Sequence, residues 1–159
     1  MNPGTEAEKQ VAARAAAELV ESGMRVGLGT GTTVAHMLPA LASRRLNIVC
    51  VASSPRTARS ATELGLRVEA FDGVSALDIA IDGADQVAPD LWLIKGGGGA
   101  HTREKIIAAA AERFVVIVDS SKPVPALVPP VPLELVPFGV AHTLHRLAPA
   151  ALRLSLIHI

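Results

Sequence analysis

Two spacings of apolar residues alternate along the chain, one typical of strands and the other of helices. Short apolar runs bounded by turn residues predict strands at 24–28, 47–52, 67–71, 77–81, 91–94 and 114–118. Longer stretches with apolar residues at helical spacing predict helices at 5–21, 34–44, 56–64, 102–113 and 139–151. Strands that alternate with helices favour a mostly parallel sheet with helices on both faces, so the pattern predicts an α/β fold.

Capping and turn residues mark the ends of these predicted helices. We expect Thr5 to cap the first helix and Gly23 to end it. Pro39 should bend or split the second helix, because proline removes a backbone donor and its ring clashes with the preceding turn. Ser54 is suited to capping the third helix, with Pro55 at its first position.

The composition changes at Lys122, after which prolines follow closely. They stand at Pro123, Pro125, Pro129, Pro130, Pro132 and Pro137. Because proline cannot donate to a central strand ladder, this segment is expected to be an extended connection and an edge strand.

Charge and composition exclude several classes of function. Lys plus Arg equals Asp plus Glu, at 15 each, which gives no sign of nucleic-acid or acidic-membrane binding. One Trp, three Phe and no Tyr argue against an aromatic platform for stacking bases. Cys50, the only cysteine, fits a buried thiol in a reducing cytoplasm. The chain shows no signal peptide at its start, and its apolar stretches are too short and too charged to span a membrane.

The segment 27–33 is a Gly/Thr-rich turn between a predicted strand and a predicted helix. Glycines let the backbone approach an anion, and the amides and dipole of a helix start favour phosphate. Thr30, Thr32 and Thr33 add hydroxyl donors. The segment is neither a Walker A loop nor a full dinucleotide fingerprint, and an ordinary glycine turn remains the alternative.

Two further polar clusters follow predicted strands. Asp82 and Asp85 stand three residues apart, where neighbouring carboxylates can divide acid and base roles, although this cluster taken alone is better explained by a solvated turn or helix cap. Lys95 precedes four glycines, an arrangement that suits an oxyanion site, with a flexible linker as the alternative. The carboxyl ends of parallel strands meet at one edge of a sheet, which is where ligands bind.

Glu104 falls in the first turn of the helix after these glycines. It is either a favourable charge at the helix start or a general base beside an oxyanion hole. His101 is more readily explained as an exposed loop residue than as a switchable base. The other histidines show no metal-ligand pattern with one another or with Cys50, so no metal is expected.

Taken together, the motifs resemble the ribose-5-phosphate isomerase A family. The segments that carry the resemblance are 27–33, 52–54, 81–85, 93–100, 102–105 and 119–122, in that order and at the family's spacing. The likeness runs from about Glu8 to about Ala148. It implies a cofactor-free enzyme that interconverts ribose 5-phosphate and ribulose 5-phosphate through an enediolate, in the non-oxidative pentose phosphate pathway, and a homodimer in the full-length protein.

The resemblance also implies roles for individual residues. Glu104 matches the base that moves a proton between C1 and C2, and Asp82 and Asp85 match carboxylates that open the ring and handle hydroxyl protons. Lys95 and the glycine amides match the group that stabilises the enediolate. The implied substrate contacts are Lys9, Thr30, Gly31, Thr32, Thr33, Gly96, Gly97, Gly98 and Lys122.

Two features depart from the family pattern. Gln86 stands where the family commonly has Glu, which changes a charge beside the carboxylate pair. The family also continues further, through a small α/β domain. We therefore expect residues 1–125 to form a Rossmann-like catalytic domain and 126–153 to begin the connection to a missing second domain. Residues 154–159 resemble a translated transposon end used in sequencing libraries, with a genuine apolar tail as the alternative.

A second class of function stays open. A non-catalytic sugar-phosphate-binding module, as in regulators with effector domains of this general layout, would bind its ligand without turnover. Such a regulator would carry a helix-turn-helix ahead of the domain, for which no room is expected before Gly27. We expect the 159-residue fragment itself to be poorly stable and weakly active or inactive, because missing sheet neighbours would expose apolar surface.

Overall fold

The computed structural model describes residues 3–147, in which helices and strands alternate. The helices are α1 (Pro3–Glu18), α2 (Thr32–Ser43), α3 (Pro55–Glu63), α4 (His101–Ala110) and α5 (Val140–Leu147). The strands are β1 (Arg25–Leu28), β2 (Val49–Ala52), β3 (Leu77–Asp82), β4 (Gln86–Val87), β5 (Leu93–Ile94) and β6 (Ala111–Val116). A short 3-10 turn at Phe71–Gly73 precedes β3.

Four of the strands form one parallel sheet in the order β2-β1-β3-β6. The chain leaves β1 toward β2 on one side, and later leaves β3 toward β6 on the other side. The boundary between β1 and β3 is therefore the point where the strand order reverses, and ligands bind beyond the carboxyl ends of strands at such a point. Leu28 pairs with Ile81 there, so the segments after these two strands begin side by side.

Helices cover both faces of the sheet. Gly27 allows one of them, α4, to approach β1 closely. The larger core packs α1 and α2 on the face that carries Val26, Leu28 and Ile81. Ile107 of α4 packs on the other face. A Cβ atom on Gly27 would stand 2.5 Å from Cγ2 of Ile107, so only glycine lets α4 lie this close to β1. The predicted α/β fold with helices on both faces is confirmed.

The predicted start of the first helix is wrong, and the second helix is not split at its proline. Helix α1 already begins at Pro3, so Thr5 lies inside the helix rather than at its cap. Helix α2 runs through Pro39 as a single element. Leu38 and Leu41, on either side of the proline, are both buried in the same core, and this packing outweighs the lost backbone hydrogen bond. Ser54 does cap α3, accepting the Thr57 N–H at 3.2 Å.

Several predicted strand boundaries also change. The predicted strand 67–71 is reduced to one parallel bridge between Val68 and Cys50 at the sheet edge. Helix α4 ends at Ala110, three residues earlier than expected. It ends there because the chain enters strand β6 at Ala111, which pairs with Leu77 of β3. Strand β5 is shorter than predicted and pairs antiparallel with β4, outside the main sheet.

The proline-rich segment contributes only an isolated bridge, between Pro123 and Val87, rather than the expected edge strand. Helix α5 lies within the predicted helix 139–151, whose last residues lie outside the described part of the chain, as does the predicted tail at 154–159. The expected division into a catalytic domain at 1–125 and a connection at 126–153 stays a prediction. Among the described residues, no helix is long and apolar enough to cross a membrane.

Candidate active site

A cavity of about 140 Å³ lies at the carboxyl edge of the sheet, where the segments after β1, β3, β5 and β6 meet. All the predicted site residues line it except Asp82, whose carboxylate lies beneath it. The lining residues are Lys9, Thr30, Gly31, Thr32, Thr33, Val34, Gly83, Ala84, Asp85, Lys95, Gly96, Gly97, Gly98, Glu104, Asp119 and Lys122. The fold therefore brings together clusters that are far apart in the sequence.

Asp82 ends β3 and forms the floor of this site, with only 4% of its surface exposed. Its Oδ1 accepts the backbone N–H of Thr30 at 3.0 Å and of Gly83 at 2.8 Å. Its Oδ2 accepts from Lys95 Nζ at 2.8 Å. A Cβ atom on Gly29 would overlap the Asp82 carboxylate, so this glycine is required by the close approach of the two segments. The carboxylate is thus fixed by partners from three segments.

Lys95 reaches the same floor from the end of β5. Besides the Asp82 carboxylate, its ammonium donates to the carbonyl oxygen of Gly83. These two acceptors hold the Lys95 ammonium at the cavity wall, and 22% of the side chain is exposed. A positive charge fixed in a largely buried place is suited to stabilising negative charge that develops on a bound molecule.

Glu104 is the buried carboxyl whose pKa departs furthest from its ordinary range. It lies in the first turn of α4 with 6% of its surface exposed. Burial raises its pKa to about 7, and the nearby Asp82 charge adds to this effect, while the Lys95 ammonium opposes it. Hydrogen bonding to Asp82 and the charge of Asp85 raise the pKa further. A carboxyl that titrates near neutrality can both accept and return a proton.

Asp85 orders the glycine loop that forms one wall. Its Oδ2 accepts the N–H of Gly97 at 2.8 Å, and a Cβ atom on Gly97 would stand 2.6 Å from Oδ1 of Asp85. Gly99 donates to the carbonyl of Gly96 at 2.9 Å, and Gly96 has a φ of +105°, which favours glycine. Of the four glycines expected to suit an oxyanion site, Gly97 and Gly99 donate their amides within the protein. The loop is an ordered wall and not a linker.

The side of the cavity around Asp119 is basic, with positive charge from two segments that are distant in the sequence. Lys9 of α1 has 14% of its side chain exposed and lies 3.6 Å from Oε2 of Glu6. Lys122 follows β6, in a turn built on Asp119, which accepts the N–H of Ser121 at 2.9 Å and also its hydroxyl. Hydrogen bonds from Ser121 lower the pKa of Asp119, with a smaller contribution from the two lysines.

The Gly/Thr-rich turn also lines the cavity. Thr30 Oγ1 and Ser53 Oγ are 2.8 Å apart, which ties the ends of β1 and β2 together. Helix α2 begins at Thr32, after Gly31 with a φ of +125°. The first residues of this helix line the cavity, and the amides and dipole of a helix start attract anions.

Sequence reasoning missed two polar residues and misplaced two others. Asp119, which lines the cavity, and Ser53, which bonds Thr30, were not predicted as site residues, although each follows a strand at the same edge of the sheet. His101 is the first residue of α4 and half-buried, and its ring limits the space at Gly96, so the expectation of an exposed loop histidine is wrong. Gln86 was considered only for the charge it changes beside the carboxylate pair, but its side chain bonds the backbone of Val128.

Among residues 3–147, no three His, Cys, Asp or Glu side chains come together in a way that could hold a metal ion. Cys50 is buried in the core, where desolvation raises the pKa of its thiol to about 12. The cavity is lined by carboxylates, lysines, hydroxyls and backbone amides.

An α/β sheet with carboxylates, lysines and a glycine loop at its switch point has the features of an enzyme active site. The sequence model of one family, ribose 5-phosphate isomerase A (phosphoriboisomerase A), matches residues 49–156. A ribose-5-phosphate isomerase A from Caulobacter sp. (strain K31) is 49% identical over 151 residues, which cover 94% of this chain and 67% of that protein. One from Thermosynechococcus vestitus is 52% identical over 140 residues, covering 84% of this chain and 59% of that protein.

Solved structures of ribose-5-phosphate isomerases are also similar to this chain. Ribose 5-phosphate isomerase A from Methanocaldococcus jannaschii superposes with a TM-score of 0.86 at 37% identity, covering 92% of this chain and 68% of that one. A D-ribose-5-phosphate isomerase in complex with phospho-erythronic acid has the same TM-score at 38% identity, covering 94% and 67%. The chain spans about two thirds of the length of these relatives.

The chain belongs to the ribose 5-phosphate isomerase A family. The resemblance inferred from the ordered motifs is confirmed, as is the expectation that the family is one of isomerases. A second family model, the DeoR C terminal sensor domain, matches residues 5–71. That match includes the Gly/Thr-rich turn but stops before Asp82, Lys95 and Glu104, so it does not support a binding module in place of an enzyme.

Proposed function

We propose that the full-length protein interconverts D-ribose 5-phosphate and D-ribulose 5-phosphate through an enediolate. The observation that carries this proposal is Glu104, a buried carboxyl with a pKa raised to about 7, which faces the same small cavity as the Lys95 ammonium. Isomerisation of an aldose needs a base of this strength and a fixed positive charge beside the reacting oxygens.

The geometry supports a division of roles around the cavity. Lys9, Lys122 and the start of α2 hold the phosphate on the basic side. The sugar carbons then extend toward Glu104, which takes the C2 proton of the open-chain aldose and returns it to C1. Lys95 stabilises the negative oxygen of the enediolate between these steps. The proton of the C2 hydroxyl passes to the C1 oxygen, so that no atom is gained or lost.

The two aspartates take different parts in this proposal. Asp85 lines the cavity, so it can exchange protons with the sugar hydroxyls during ring opening. Asp82 has both oxygens engaged, by two backbone amides and by Lys95. Its part is to hold the ammonium in place and to keep the pKa of Glu104 high.

The related complex with phospho-erythronic acid supports a phosphorylated sugar as the ligand class. We extend this to the full-length protein, for which we also propose a homodimer in the cytoplasm. Residues 1–125 are proposed as its catalytic domain and 126–153 as the start of the connection to a second domain.

The direct test is formation of ribulose 5-phosphate from ribose 5-phosphate by the full-length protein in the presence of a chelator. We expect turnover that EDTA does not reduce. Loss of all activity on chelation would contradict the expectation that no metal takes part. Binding of ribose 5-phosphate without turnover would instead favour a sugar-phosphate-binding module.

A further inference from the structure

Helix α4 carries Glu104, yet its own sequence supplies no side chain to cap it. The residue at the N-cap position is Ala100, which has no polar group. The N–H of Thr102, in the first turn, instead donates to Oε2 of Glu134 at 2.8 Å, across 32 residues of sequence. This hydrogen bond lowers the pKa of the Glu134 carboxyl, so the cap is ionised at neutral pH. A carboxylate at this end of a helix is favoured by the unpaired amides and the dipole.

The segment that presents Glu134 is held in place by bonds of its own. Gln86 donates from Nε2 to the carbonyl of Val128 and accepts the Val128 N–H at Oε1, both at 2.9 Å. Further toward Glu134, Pro132 packs against the glycine loop, with its Cβ 3.2 Å from the position of a Cβ atom on Gly96. The segment thus runs from β4, over one wall of the cavity, to the first turn of α4.

We propose that Glu134 is a positioning residue for Glu104, and that Gln86 supports it by anchoring the segment from which it extends. Thr102 and Glu104 share one helical turn, so the bond that fixes the Thr102 amide also fixes the direction in which the Glu104 carboxyl enters the cavity. Neither Glu134 nor Gln86 lines that cavity. They act on the position of Glu104 through the backbone of the first turn of α4. Because a small misplacement of a catalytic group lowers the rate strongly, this positioning affects turnover. The inference rests on the proposed isomerase function.

The test compares Glu134→Ala, Glu134→Gln and Gln86→Ala in the full-length protein, with Glu63→Ala and Gln10→Ala as matched controls at exposed positions. We expect kcat for ribose 5-phosphate to fall roughly ten- to a hundred-fold in Glu134→Ala, with a smaller fall in Gln86→Ala. Glu134→Gln should retain most of the activity, because its amide oxygen can still accept from Thr102. Both controls should match the parent.

Hydrogen–deuterium exchange of the backbone amides supplies a readout that does not depend on turnover. Peptides that span residues 100–105 should exchange faster in Glu134→Ala than in the parent, and at the parent rate in Glu134→Gln. The inference is overturned if Glu134→Ala keeps both the parent kcat and the parent exchange, or if Glu134→Gln loses as much activity as Glu134→Ala. A parent protein that does not turn over ribose 5-phosphate would contradict the proposed function, while the exchange comparison would still decide whether Glu134 orders this turn.

Discussion

Lys95 Nζ donates to Oδ2 of Asp82 across 2.8 Å, and this pair joins the end of β5 to the end of β3. The carboxylate is 4% exposed, so its negative charge depends on this ammonium and on two backbone amides for compensation. The same ammonium lowers the pKa of Glu104, against burial and the Asp82 charge. One lysine therefore moderates the pKa of the proposed base, which burial mainly raises, and also supplies the positive charge in the cavity.

Lys95→Met should accordingly change both the rate and its pH dependence. We expect kcat to fall by roughly 10²–10³-fold, the usual cost of removing a group that stabilises an oxyanion. Because Lys95 lowers the pKa of Glu104, its loss should move the acid limb of the pH–rate profile to higher pH. Lys105→Met, at an exposed position on α4, is the control. An unmoved acid limb in the Lys95 variant would show that the two groups are not coupled.

Gly29→Ala should destabilise the fold, because a Cβ atom at this position would overlap the Asp82 carboxylate. Forcing an extra methyl group into a packed place typically costs about 1–3 kcal/mol in the free energy of unfolding. Gly73→Ala is the matched control, since a Cβ atom there meets nothing within 4 Å. Urea unfolding of both variants measures the difference, and equal midpoints would contradict this packing.

The raised pKa of Glu104 predicts how stability depends on pH. The folded-state pKa of about 7 lies above the ordinary value of 4.5, so the folded protein holds the extra proton between these two pH values. The free energy of unfolding should therefore fall as pH rises from about 4.5 to about 7, by a total of about 3 kcal/mol from this group.

Glu104→Gln removes this contribution, because its amide does not titrate. The variant and the parent should unfold at similar urea concentrations near pH 4, whereas the variant should be the more stable of the two near pH 8. Urea unfolding of both proteins across this range makes the comparison. A constant difference between them at every pH would mean that the pKa of Glu104 is not raised by folding.

Lys9→Ala and Lys122→Ala should weaken substrate binding more than they slow chemistry. Both lysines line the cavity on the side away from Glu104 in the proposed arrangement, where they would meet the phosphate. Charge-assisted hydrogen bonds are worth about 1.5–3 kcal/mol, so KM should rise roughly ten- to a hundred-fold with a much smaller change in kcat. Lys105→Ala again serves as the control. A fall in kcat with unchanged KM would place these lysines at the reacting carbons instead.

The sequence predicts the features that depend on local pattern. Short apolar runs followed by polar clusters at Thr30 and Asp82 were enough to place the candidate site at one edge of a parallel sheet, since strand ends converge there. Lys95 reaches it from β5, which lies outside that sheet. Strand pairing explains why the end of α4 was misplaced. Ala111 has no strong preference for a strand, and it joins the sheet because it pairs with Leu77.

Long-range side-chain contacts account for what the sequence could not show. The bond between Gln86 and Val128 spans 42 residues, and that between Thr102 and Glu134 spans 32. Neither belongs to a short motif, and each depends on how distant segments pack. The raised pKa of Glu104 is likewise a property of burial among other charged groups, which no local spacing reveals.

The central claim is that Glu104 moves the proton between C2 and C1, and Glu104→Gln in the full-length protein tests it most directly. This change keeps the shape of the side chain and removes the base. We measure exchange of the C2 proton of ribose 5-phosphate with deuterium from solvent, together with turnover. Both should fall by roughly 10²–10⁴-fold, the usual contribution of a positioned general base, while ribose 5-phosphate still binds. Exchange and turnover that stay near the parent values would contradict the account and direct the search for the base to Asp85.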